Sequence, residues 1–138
     1  MKVKLPAIAA LFAVLCFSCG KDELVKTTSY ADLVYEITTG DSTMLNVIYR
    51  KGVYNDSIKG NIDFDTIITT AGTHFIPAQV LIGQPVMLYG ESHKDSSFHL
   101  RIKRDGVVLK ETDSITFYPA NQLHPDQFIS KLEVIPQP

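Results

Sequence analysis

The sequence predicts an all-β fold, a small antiparallel β-sandwich of about seven strands, behind a cleaved leader. Three observations predict it. Apolar and polar residues alternate with period two along most of the chain, as in Phe98-His99-Leu100-Arg101-Ile102-Lys103. Turn residues punctuate these runs roughly every 8–12 residues. The body of the chain shows no sustained helical period. The length of 138 residues allows one ordinary domain, and 45% hydrophobic against 20% charged content suits a globular chain with its own core.

The elements follow in order. Met1-Lys2-Val3-Lys4 is a short basic segment, and Leu5 to Ser18 carries no charge. That run is too short for a membrane-spanning helix, which needs about 20 apolar residues, but fits the apolar core of a secretory signal peptide. Residues 1–18 are therefore expected to be a signal, and 19–32 a polar tether. Leu33-Val34-Tyr35-Glu36-Ile37-Thr38 is a strand by its β-branched and aromatic content. Thr39-Gly40-Asp41-Ser42 is a turn, and Leu45, Val47 and Tyr49 alternate along a second strand. A third strand lies between Ile58 and Ile68, broken at Gly72. Phe75 to Ile82 is a fourth, and Pro77 within it favours an edge or a bulge. Gly83-Gln84-Pro85 is a turn before Val86-Met87-Leu88-Tyr89. Asp105-Gly106 joins the run ending at Arg104 to Val107-Val108-Leu109, the strongest short-range hairpin signal. Ile115-Thr116-Phe117-Tyr118 closes the sandwich, expected over 33–118. The extension 119–138 has two readings: a short helix begun by Pro125, or an added strand through Ile129 to Ile135.

Composition excludes several function classes. A net charge of -2 gives no electrostatic basis for nucleic-acid binding. Two cysteines are too few for a disulfide scaffold or a four-cysteine zinc site. His74, His93, His99 and His124 lack metal-pair spacing, so no metal site is expected. No nucleophile elbow or phosphate-cradling glycine loop occurs. The chain is therefore read as non-enzymatic, with no cofactor.

A few residues remain as candidates. Asp63 and Asp65 share one strand face with Phe64 opposite, the pattern of the wet side of a half-buried strand. His99, Arg101 and Lys103 form a basic stripe, read either as a solvated face or as a weak site for an anionic ligand. Tyr30, Tyr49, Tyr54 and Tyr89 are open between core, rim and sugar-stacking roles.

Leu15-Cys16-Phe17-Ser18-Cys19 resembles a bacterial lipobox, with small Ser18 before the cysteine to be lipidated. The resemblance implies that Cys19 is the first mature residue and the lipid attachment site. Two or more acyl chains anchor a protein stably to a membrane. Lys21-Asp22-Glu23 resembles the surface-export signal of Bacteroidota lipoproteins, or else is a solvated tether. Tyr35-Glu36-Ile37-Thr38, Leu45-Asn46-Val47-Ile48-Tyr49, Leu88-Tyr89-Gly90-Glu91-Ser92 and Leu100 to Lys110 resemble the extracytoplasmic domain of MmpS-type transport accessory proteins. That resemblance implies an immunoglobulin-like sandwich and a transport-accessory or protein-binding role with an envelope protein as partner. A surface-displayed module for glycans is the alternative. Either role places the chain in the cell envelope, at the outer membrane.

Overall fold

The computed structural model describes residues 29–42, 44–54 and 59–138. Cys19, Lys21, Asp22 and Glu23 lie outside them. Among the described residues all regular structure is β: β1 (Tyr30–Thr39), β2 (Leu45–Tyr54), β3 (Lys59–Ile68), β4 (Gly72–Leu81), β5 (Val86–Ser92), β6 (Phe98–Arg104), β7 (Val107–Thr112), β8 (Thr116–Tyr118) and β9 (Gln127–Val134). They form a two-sheet antiparallel sandwich. The first sheet has the order β4-β1-β6-β7, and the second β3-β2-β5-β9-β8. Among the described residues no helix is long and apolar enough to cross a membrane.

Period two builds the core. Ala31, Leu33, Tyr35 and Ile37 of β1 point inward, beside Phe98, Leu100 and Ile102 of β6 and Ala78 and Val80 of β4. The second sheet meets them with Leu45 and Val47, Val86 and Leu88, Ile68 and Leu132. Both the β1–β2 and β4–β5 connections cross between sheets, so the pairs β1·β4 and β2·β5 interlock, with β4 at the edge of the first sheet. β6 and β7 continue the first sheet beyond β1, while β3 borders β2 and β9 and β8 continue the second sheet beyond β5.

The extension is a strand, not a helix. β9 pairs with β5 from Val86↔Val134 to Ser92↔Phe128. Its inward residues Ser130 and Leu132 are buried, and Val134 packs on the core. The strand count exceeds the expected seven partly for this reason: residues beyond 118 complete the second sheet.

Two local features follow from glycine chemistry. The β6–β7 turn is a two-residue hairpin with Asp105 at φ 52° and Gly106 at φ 79°. Positive φ at both central positions matches the twist of the flanking strands. At Gly52, β2 passes so close to β4 that a Cβ would stand 2.9 Å from the Gln79 carbonyl oxygen. Asn61 then ties the two sheets along this side. Its Oδ1 accepts the Leu81 N–H at 2.8 Å and its Nδ2 donates to the Leu81 carbonyl at 3.4 Å.

The sandwich has two unlike ends. Ser29 and residues 135–138 lie at the base, where Ile82 N–H donates to the Ser29 carbonyl and Gly83 N–H to that of Pro136, both at 3.0 Å. Residues 40–42 and 44 and the connections 69–71, 93–97 and 119–126 gather at the opposite end, the tip.

Candidate functional site

The basic stripe is assembled as its alternation predicts. His99, Arg101 and Lys103 lie on the outer face of β6, because Phe98, Leu100 and Ile102 face the core. The neighbouring strands place a carboxylate on each side. Glu36 of β1 and Glu111 of β7 both stand opposite Arg101. Arg101 Nη1 donates to Glu36 Oε1 at 2.9 Å and its Nε to Glu111 Oε2 at 2.6 Å. Lys103 Nζ donates to Glu36 Oε2, and His99 Nε2 lies 3.3 Å from Glu111 Oε2. All three basic side chains thus face a carboxylate, and an anion arriving here competes with both acids.

Glu36 is the centre of this row. It is on the outer face, yet only 5% exposed. The Lys103 hydrogen bond holds its carboxyl below the usual value; burial pulls the other way, and Arg101 adds to the lowering. Glu111 is lowered chiefly by the Arg101 hydrogen bond, then by His99.

The outer face of the second sheet carries a second carboxylate hub. Glu91 accepts from Tyr89 Oη at 2.9 Å and from Gln127 Nε2 at 2.8 Å. His93 Nε2 stands 3.6 Å away, and His93 Nδ1 lies 3.0 Å from the Asp126 carbonyl, joining the 119–126 loop to β5. Burial, then the Glu91 hydrogen bond, pushes the Tyr89 phenol up. Asp63 faces outward and accepts from Arg50 Nε at 2.7 Å, while Phe64 turns inward with its ring centroid 6.0 Å from that of Tyr49. Tyr49 therefore belongs to the packing between sheets; the Tyr35 ring lies on its other side, at 5.6 Å. Among the described residues no group of three His, Cys, Asp or Glu side chains is arranged to hold a metal ion.

Clefts open on the surface formed by the described residues. One, of about 450 Å³, lies at the tip between Ser42, Met44, Thr69, His93 and Lys94. Another, of about 480 Å³, lies toward the base beside β1 and β4, with Asp32, Val34, Lys51, Pro77, Gln79 and Asp105 in its wall. Neither cleft was legible as a unit in the sequence, because each draws residues from at least three connections or strands. The one signal available for the second was the alternation Phe75, Pro77, Gln79, which sets these side chains on one face of a strand.

Comparison with family models, with curated proteins and with solved structures finds no match for the chain.

Proposed function

We propose that the chain is a non-enzymatic, lipid-anchored module of the cell envelope that binds a protein partner, as a transport accessory protein does. The polarity of the sandwich carries this reading. The chain enters the described structure at the base, so an anchor at Cys19 would tether that end. About ten extended residues between Cys19 and Ser29 reach about 35 Å at most. The loop-bearing tip is then held away from the bilayer. It presents a cleft with Met44 63% exposed at its rim, and Leu123, in the tip loop 119–126, is 85% exposed. Apolar side chains displayed on loops over a rigid sandwich suit recognition of a protein surface.

Two measurements test the proposal. Cys19→Ser moves the protein from the membrane fraction to the soluble fraction; retention in the membrane overturns the anchor. Affinity purification from detergent-solubilised membranes recovers an envelope protein with the wild type and loses it with Met44→Asp or Leu123→Asp. A wild-type protein that purifies without a partner overturns the protein-binding role.

A second reading, a surface-displayed module for glycans, is favoured by one observation. Phe75 is 62% exposed on the outer face of the first sheet, beside the cleft toward the base.

A further inference from the structure

We infer that the cleft beside β1 and β4, together with the Phe75 ring, is a binding site for an uncharged saccharide chain. The inference rests on the glycan reading above and names its site and ligand class.

The wall of the cleft is amphipathic in the way a sugar is. Val34 and Pro77, directly paired across β1 and β4, supply an apolar floor. Asp32 and Gln79, the next pair on the same face, supply a polar rim, with Gln79 Nε2 donating to Asp32 Oδ1 at 3.3 Å. Lys51 and Asp105 bound it from the second sheet and the hairpin turn. Phe75 extends the floor by one step along β4, two residues from Pro77 on the same face. Among the described residues its ring stacks on no other ring.

A pyranose has a face of C–H bonds and a rim of hydroxyls. The first fits an exposed aromatic ring and an apolar floor. The second needs donors and acceptors together, which an amide, two carboxylates and an ammonium provide. Charge selects within that class. Asp105 is paired with Arg104 at 3.7 Å, Asp32 faces Lys51 across the rim, and Arg101 and Lys103 of the same sheet are engaged by Glu36 and Glu111, so the wall has no excess of positive charge. An acidic sugar would lose hydration here with no free cation among the described residues to compensate its charge, and a neutral one carries no such cost. Pro77 and Phe75 lie in line along β4, which suits an extended chain with equatorial linkages, as in β-linked glucan or xylan.

The test is titration of the full-length, detergent-solubilised protein with cellohexaose and xylohexaose, and with a hyaluronan hexasaccharide as the acidic control. Saturable binding of at least one neutral chain is expected, with the acidic chain bound at least tenfold more weakly. Phe75→Ala and Gln79→Ala each lower the affinity about tenfold without lowering the melting temperature, since both side chains are exposed; Met44→Ala at the tip changes nothing. No binding of either neutral chain, or binding of the acidic chain alone, overturns the inference. Binding that survives both Phe75→Ala and Gln79→Ala also overturns it, but leaves the glycan reading standing and moves the site elsewhere.

Discussion

Glu36 lies on the solvent side of β1 and is nonetheless buried, because Arg101 and Lys103 close over it. Its environment makes a pH prediction. The carboxyl is lowered in the folded protein relative to an ordinary glutamate near 4.3. The charged form is thus favoured by folding. The resulting stabilisation is complete above that ordinary value and is lost as the pH falls below it, through the folded-state value. Glu36→Gln keeps the shape and removes the charge. It is expected to cost about 1–3 kcal/mol at pH 7, the range of a charge-assisted hydrogen bond. It should cost much less once acid has protonated the wild-type side chain. Urea unfolding of both proteins at pH 7 and near pH 3 measures this. A cost that is the same at both pH values would show that the carboxylate charge contributes nothing and that only packing was disturbed.

At the scale of elements, the closest meeting of the sheets is the side where β2 crosses β4, and one amide fixes it. Asn61 engages both backbone groups of Leu81 as a neighbouring strand would. Asn61→Ala leaves the Leu81 N–H without that acceptor and is expected to destabilise by about 1–2 kcal/mol. Native-state hydrogen exchange should show the loss as faster exchange at the Leu81 amide, with the β5–β9 ladder unaffected. Unchanged exchange at Leu81 would refute the tie. This contact also marks the limit of what the sequence reveals. β6 and the Asp105-Gly106 hairpin were legible because their signals are local: period two and positive φ. The edge position of β4 was legible from Pro77. For β9 the sequence supports a short helix and an added strand alike, because Phe128 to Val134 shows its strand face only when β5 lies beside it. The same holds for function. The stripe His99, Arg101, Lys103 could be read from one strand, but its acids are supplied by β1 and β7. The outward turn of Phe75 was hidden inside an apolar segment, and Asp32 meets Gln79 only through the β1–β4 ladder.

At the scale of the whole molecule, an open sandwich has four free strand edges, and each could recruit a second chain. Every edge here carries a feature that opposes this. On β4, Pro77 offers no N–H and Asn61 occupies the backbone of Leu81. β7 is interrupted by a bulge opposite Ile102 and Lys103. β3 turns Asp63 and Asp65 outward, and β8 is only three residues long. Four independent obstacles predict a monomer, and this would matter most under the proposed membrane anchor, since chains confined to a bilayer meet at high local concentration. The β4 edge offers the cleanest test, because one substitution restores its missing donor. Pro77→Val places an apolar, β-branched side chain on the same face and returns an N–H to the edge. Sedimentation velocity on the full-length protein in detergent should give a monomer for the wild type at about 100 µM, and measurable dimer for Pro77→Val, more so with Asn61→Ala added. A wild-type dimer would mean that some edge is open despite its obstacle. A double variant that stays monomeric would mean that β4 is protected by something other than its proline and its amide, the outward charge of Asp32 and the bulk of Phe75 being the next groups to remove.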